Sequence, residues 1–381
     1  MTPLRRIVIV GNGVAGLTAA DTLRADGFDG ELTIVGEEVT PAYSRPALSK
    51  ALLRSDADLT AHELPAPDHG AAELLGRSAA SVDAARRLLA LDDGSVLSYD
   101  GLVIASGSRA RRLGMAADEL VLRTLGDALA LRSRIATRPA VVIVGGGPLG
   151  MEVASGAIEA GCSVTLVTKE QPMLRHLGEH LAATIVAAAT ARGLRIVLTP
   201  EARVVESHGR SSVVLADGSA VAGDLVLTAA GDIPNTEWLR GGAAWLTPGG
   251  AVAVDTRGRV SSSIVAAGDV AAVPTGSWHA RSPLWNSAID QARAAASALL
   301  RGDEAPELTA RPYFWTEQFD LTIRIAGRTP LRGTPEVVDG DSSGAALLRW
   351  RHDDGTATAV SVNYRIPIPR LRRLCEPDHA E

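Results

Sequence analysis

The sequence predicts an α/β protein, with two domains built on parallel βαβ units and a small α+β domain after them. Three observations predict it. An apolar strand, a glycine turn and a helix occur near the N-terminus and recur in the middle of the chain. Each copy continues into a second apolar strand. After Pro306 aromatic residues return, and alternating strand-like runs replace alanine-rich helix. At 381 residues the chain is long enough for two or three cores.

The first copy is a strand over 6–10, the turn Gly11-Asn12-Gly13-Val14-Ala15-Gly16, a helix to about residue 25 and a strand over 32–35. The second is a strand over 140–144, the turn Gly145-Gly146-Gly147-Pro148-Leu149-Gly150, a helix to about residue 160 and a strand over 163–167. In each, the first glycine (Gly11, Gly145) permits the tight turn. The second (Gly13, Gly147) leaves room for a pyrophosphate beside the backbone. The third (Gly16, Gly150) lets helix and strand approach closely. The helix N-terminus then offers free N–H groups to the phosphate charge. One such motif is weak evidence in a chain with 38 glycines. Two copies, each between a strand and a helix, read as two Rossmann-like dinucleotide sites.

A carboxylate past the second strand holds a ribose hydroxyl in such units. Glu37, 21 residues beyond Gly16, fits that place in the first copy. The second copy departs from the rule: Thr168 ends the strand, followed by Lys169 and Glu170. Glu170 suits a ribose diol, whereas Lys169, with Arg175, suits a 2′-phosphate. NADH and NADPH both remain open, with a slight lean to NADH because no arginine pair follows the strand.

Other strands leave at small residues. Residues 99–108 run into Gly107, 224–231 repeat that form, and Val265-Ala266-Ala267-Gly268-Asp269 ends another strand at an aspartate suited to a polyol chain. Hairpin turns are expected at Asp92-Asp93-Gly94 and Ala216-Asp217-Gly218. The first nucleotide domain is therefore expected to be split, 1–115 with 235–308, around a second over 116–234. A third domain covers 309–381. Its strand-like runs lie at 322–325, 345–350 and 356–363, parted by turns at Gly340-Asp341 and Asp353-Asp354-Gly355. The proline-containing stretch 62–76 stands where a strand is expected before Ser81-Val82-Asp83, and reads as a weak one.

A net charge of −6 without long basic runs disfavours nucleic-acid binding. No apolar stretch approaches the roughly 18 residues of a membrane span, and no signal peptide is read, so no membrane partner and a cytoplasmic location are expected. Cys162 and Cys375 are the only cysteines, too few for a CxxC pair or a four-thiolate metal site. Two free thiols in a reducing compartment is the plainer reading. Eight scattered histidines show no ligand spacing, so no metal site is expected.

With these residues in view, the chain resembles, over nearly its whole length, the FAD-dependent, NAD(P)H-linked ferredoxin reductases that serve bacterial oxygenases. The most specific stretch is Arg45-Pro46-Ala47-Leu48-Ser49-Lys50. The resemblance implies two Rossmann-like domains in a glutathione reductase-like arrangement without redox cysteines. It implies FAD as cofactor, with Arg45 beside the FAD and Lys50 near the reactive edge of its ring. It gives Asp269 to the ribityl chain and Glu152 to the nicotinamide. Trp315, in Pro312-Tyr313-Phe314-Trp315-Thr316-Glu317-Gln318, and Trp285 line the flavin region or the electron exit. Pro283-Leu284 stand where relatives usually carry Glu-His, which bears on the flavin surroundings or the partner interface.

The implied activity is hydride transfer from NAD(P)H to FAD, then single-electron transfer to an iron–sulfur ferredoxin feeding an oxygenase such as a cytochrome P450. The cofactors supply the chemistry, so no protein nucleophile is needed. An acidic ferredoxin implies a basic docking face, with candidates at Arg109, Arg111 and Arg112 and at Arg365, Arg370, Arg372 and Arg373. Two rival readings stand beside it: a flavoenzyme reducing a small molecule such as a quinone or oxygen, and a flavin-loaded sensor. Oligomeric state is left open.

Overall fold

The computed structural model describes residues 4–50, 53, 62–65, 68–114, 118–207, 210–241, 244–341 and 344–376. The chain forms two compact units, the first from 1–44, 60–109 and 233–311, the second from 45–59, 110–232 and 312–381. The α/β reading holds, with Rossmann-like elements in both units and a smaller C-terminal α+β region.

In the first unit five parallel strands lie in the order Ile264–Ala266, Gly101–Ile104, Arg6–Val10, Glu31–Gly36, Ala72–Leu75. Side chains alternate along a strand. Ile7 and Ile9 therefore join one core, with Ala19, Ala20 and Leu23 of the helix Val14–Ala25 and Ala292, Ala295 and Leu299 of the helix Trp285–Arg301. Val8 and Val10 face the opposite way and join Leu89, Leu91 and Tyr99. Leu89 and Leu91 belong to the antiparallel sheet Ala79–Asp83, Leu88–Leu91, Val96–Ser98. The alanines explain the helix pairing, since small side chains let two helices approach closely over one sheet. The edge strand Ala72–Leu75 corrects the weak reading of 62–76; Thr33 to Gly36 supply its whole ladder. Residues 66 and 67 of that stretch lie outside the described residues.

The second unit repeats the pattern with four parallel strands, Arg195–Leu198, Ser163–Thr168, Ala140–Val144 and Leu225–Thr228. The helix Leu125–Ile135 starts with a capping box: Thr124 Oγ1 accepts from the Asp127 N–H at 3.1 Å, and the Asp127 carboxylate accepts from the Thr124 N–H at 2.8 Å. The helix Pro148–Glu159 follows the second glycine turn, and Glu179–Ala191 comes after Gly178. The strands Ala202–Ser207, Arg210–Leu215 and Ala220–Ala222 form an antiparallel sheet, with the turn at 216–218 as expected.

The C-terminal region of this unit is a five-stranded antiparallel sheet, in the order Tyr313–Gln318, Leu321–Ala326, Ala357–Val362, Ala346–Arg351, Glu336–Gly340. The helix Ile368–Arg373 adds Leu371 to a core with Tyr313, Ala326, Leu347 and Ala359. Two of these strands, Tyr313–Gln318 and Glu336–Gly340, go beyond the runs legible in the sequence. Among the described residues no helix is long and apolar enough to cross a membrane.

Candidate functional site

The two glycine turns have one design. Gly11 N–H donates to the Val35 carbonyl at 2.8 Å, and Gly145 N–H donates to the Val167 carbonyl at 2.9 Å. Both first glycines are left-handed, at φ of 122° and 123°. A methyl group on Gly11 would lie 2.0 Å from the Ala105 carbonyl oxygen, and one on Gly145 would lie 2.2 Å from that of Ala229. The third glycines press on the first: a methyl on Gly16 would lie 1.9 Å from the Gly11 oxygen, and one on Gly150 2.0 Å from the Gly145 oxygen. These four positions are fixed by the fold itself.

The middle glycines are different. A methyl on Gly13 would meet nothing within 4 Å. Neither Gly13 nor Gly147 has a side chain to cap the helix it begins. The first-turn N–H groups therefore have no intrahelical acceptor. The side-chain oxygen of Asn12 is buried and has no partner. An open backbone cradle at a helix N-terminus, with an orphaned polar atom beside it, fits a dinucleotide pyrophosphate.

Around the first turn, Glu37 is exposed, while the half-buried Glu38 accepts from the Tyr43 hydroxyl at 2.7 Å. Both carboxylates follow directly on the second strand, Glu31–Gly36. Gly107, at φ 64°, is tied through its carbonyl to the Asn235 N–H at 3.0 Å. Asp269 follows Gly268 and accepts from the Ser108 hydroxyl at 3.4 Å. Buried Gln291 accepts from the Gly268 N–H at 2.9 Å and so holds that corner. Trp285 is the half-buried first residue of its helix.

In the second unit, Lys50, Glu152 and Trp315 come together. Glu152, 5% exposed on the helix after the second glycine turn, accepts three hydrogen bonds. Lys50 Nζ donates to it at 2.8 Å, the Thr316 hydroxyl donates at 2.6 Å, and the Ser49 hydroxyl donates to the same oxygen as Lys50. Gln318 supports Thr316 from behind, its amide N–H₂ donating to that hydroxyl at 2.8 Å. A buried charge is tolerated only when paired and hydrogen-bonded, and this carboxylate is both. The Lys50 ammonium also lies 5.8 Å from the Trp315 ring centre. Arg45 donates to the Arg123 carbonyl at 2.8 Å, which fixes the start of this segment.

At the second strand tip Thr168 is buried, and its hydroxyl donates to the Glu170 carbonyl at 3.2 Å. Lys169 is exposed, and the Glu170 carboxylate pairs with Arg175 at 2.9 Å. Ser49, Thr316, Gln318, Asn12 and Gln291 are additions that sequence reasoning missed. Ser49 and Thr316 lay inside motifs already singled out, but only the fold brings them to one carboxylate.

The basic faces also differ from one another. Arg109 pairs with Glu237 at 2.6 Å, and Arg112 donates to the Glu119 carbonyl at 2.5 Å. Arg365, Arg370 and Arg373 are exposed, and Arg370 lies near enough to the Asp339 carboxylate to act on it electrostatically. Both cysteines are free, and burial pushes both thiols up, away from reactive thiolate. Among the described residues no group of three or more His, Cys, Asp or Glu is placed to hold a metal ion.

Residues 5–295 match the family model described as pyridine nucleotide-disulphide oxidoreductase. The chain is 35% identical to the benzene 1,2-dioxygenase system ferredoxin–NAD(+) reductase subunit of Pseudomonas putida, across 93% of this chain and 88% of that one. It is 34% identical to the biphenyl dioxygenase system ferredoxin–NAD(+) reductase component of Paraburkholderia xenovorans, across 95% and 91%. The crystal structure of the covalent putidaredoxin reductase–putidaredoxin complex superposes with a TM-score of 0.86 at 27% identity, covering 97% of this chain and 93% of that chain. Matched over 5–295 by the family model and over nearly its whole length by these reductases, the chain belongs to the pyridine nucleotide-disulphide oxidoreductase family, in its branch of FAD-dependent ferredoxin–NAD(+) reductases.

Proposed function

We propose that the chain holds FAD in its first cradle and NADH in its second, takes hydride from NADH, and passes electrons singly to an iron–sulfur ferredoxin that supplies an oxygenase. The observation that carries this reading is a pair of matched glycine cradles together with the Lys50–Glu152 pair. FAD, when bound, supplies the hydride acceptor and the electron store. Gly11, Gly13, Gly16, Glu37, Gly107, Asp269, Arg45 and Trp285 hold it. Gly145, Gly147 and Gly150 hold the nicotinamide dinucleotide, with Lys169 and Glu170 at its ribose. The domains that carry these roles are 1–115 with 235–308 for flavin, 116–234 for nicotinamide and 309–381 for the partner.

Lys50 and Glu152 act as a unit. The carboxylate fixes the ammonium, which would steady negative charge on a flavin bound beside it. Glu152 keeps an oriented acceptor for a carboxamide, and Trp315 covers the lysine on one side. NADH is the proposed donor because Arg175 is already paired with Glu170, and a 2′-phosphate would meet that carboxylate. The exposed arginines Arg365, Arg370 and Arg373 suit an acidic ferredoxin. The free thiols suit the reducing cytoplasm.

Steady-state turnover with NADH and cytochrome c, with and without an added ferredoxin, tests the reading. Turnover that depends on ferredoxin supports it. An equal rate without ferredoxin would sink the partner assignment.

A further inference from the structure

The two cradles differ in what faces the middle glycine. Above Gly13 there is open space, but above Gly147 stands a histidine ring. A methyl built on Gly147 would lie 3.3 Å from Cε1 and 3.7 Å from Nε2 of His176. The ring is held there by backbone. Met173 N–H donates to the Gly146 carbonyl at 2.8 Å, strapping the next turn to the glycine loop. His176 N–H and Leu177 N–H both return to the Met173 carbonyl, at 3.0 and 2.8 Å. Pro172 Cα packs against Gly146, 3.1 Å from where its methyl would be. His176 itself is exposed, so a ligand entering the cradle reaches it from solvent.

A second difference lies in the donors. The first cradle opens its helix with Val14, which has an N–H. The second opens with Pro148, which has none. The second cradle therefore offers one backbone donor fewer to the same diphosphate, and an imidazole stands beside the gap.

We propose that His176 is a ligand of the nicotinamide dinucleotide's pyrophosphate and takes up a proton when that pyrophosphate binds. The proposal rests on the reading of the second cradle as the nicotinamide site. Two charged groups face the ring, Arg175 on its own turn and Glu170 from the strand tip; the glycine turn contributes none. Crowding by the surrounding chain and then Arg175 hold the imidazole below its ordinary value, and Glu170 pulls the other way. The free protein therefore holds this proton less readily than an unperturbed imidazole does. A bound diphosphate favours the imidazolium, so binding draws in a proton and strengthens as pH falls.

The experiment is calorimetric titration of the oxidised, FAD-loaded protein with ADP-ribose, which carries the pyrophosphate without nicotinamide. It is run in two buffers of different ionisation enthalpy, from about pH 5.5 to 8.5. Expected are net proton uptake near neutral pH and a dissociation constant that rises about fivefold across the range. His176→Gln should abolish both. His176→Arg should bind at least as tightly as the unaltered protein, with no pH dependence. ADP-ribose binding without proton uptake, or a His176→Gln variant that keeps it, overturns the proposal and leaves the cradle assignment standing. If ADP-ribose does not bind at all, the cradle assignment falls and this proposal falls with it. Should His176→Gln fail to fold, the proton count on the unaltered protein and the flat profile of His176→Arg still decide.

Discussion

Gly11 and Gly13 stand two residues apart, yet a methyl group means opposite things at each. At Gly11 it meets a carbonyl oxygen at 2.0 Å on left-handed backbone, so Gly11→Ala should destabilise the apoprotein by roughly 2–4 kcal/mol. At Gly13 it meets nothing within 4 Å, so Gly13→Ala should melt like the unaltered apoprotein but be purified with little flavin. Melting curves and the flavin-to-protein absorbance ratio check the pair. A Gly13→Ala protein that stays fully yellow would remove the cradle from the account. Glu152 offers the matching test at the second site. Glu152→Gln leaves the partly buried Lys50 without its counter-charge and should slow reduction by NADH about tenfold or more, measured in single turnover. Thr316→Val removes a neutral donor from the same carboxylate and should cost about 1–2 kcal/mol in a denaturant melt, with a smaller effect on rate. The glycines were legible because their reason is steric and local. The supporting hydroxyls of Ser49 and Thr316 were not, because they meet Glu152 across more than a hundred residues of sequence.

The helices and strands show where local pattern suffices. Both βαβ units were legible because an apolar strand, a glycine turn and an alanine-rich helix each constrain their neighbours. The strand Glu336–Gly340 was not, since all five of its residues are exposed and no alternation marks it. It exists because Ala346–Arg351 offers it a ladder. The strand Tyr313–Gln318 was read as an aromatic segment. Its hairpin turn uses Phe319 and Asp320 at φ of 49° and 61°, without the glycine that signals such turns in sequence. The Phe319 N–H donates to the Ser155 hydroxyl at 2.7 Å and anchors that turn to the helix carrying Glu152. At the same scale, Thr124→Ala removes one half of a capping box and should destabilise the protein by about 1 kcal/mol, read from urea melts.

The molecule as a whole carries two glycine cradles and a set of exposed arginines at its C-terminal helix and just before it. The chain is acidic, at −6, so an acidic partner needs a local exception. On the proposed reading that exception is Arg365, Arg370 and Arg373, exposed at the C-terminal helix and just before it. Reversing all three to glutamate should slow ferredoxin-dependent turnover about tenfold at low salt, less at high salt, and leave NADH-driven ferricyanide reduction unchanged. The central claim, that one chain joins a nicotinamide and a flavin, is tested most directly by anaerobic stopped-flow mixing of the purified protein with NADH and with NADPH in separate runs. The account predicts that the visible flavin band is lost within seconds, faster with NADH. A yellow protein that neither nucleotide bleaches on that timescale would contradict it.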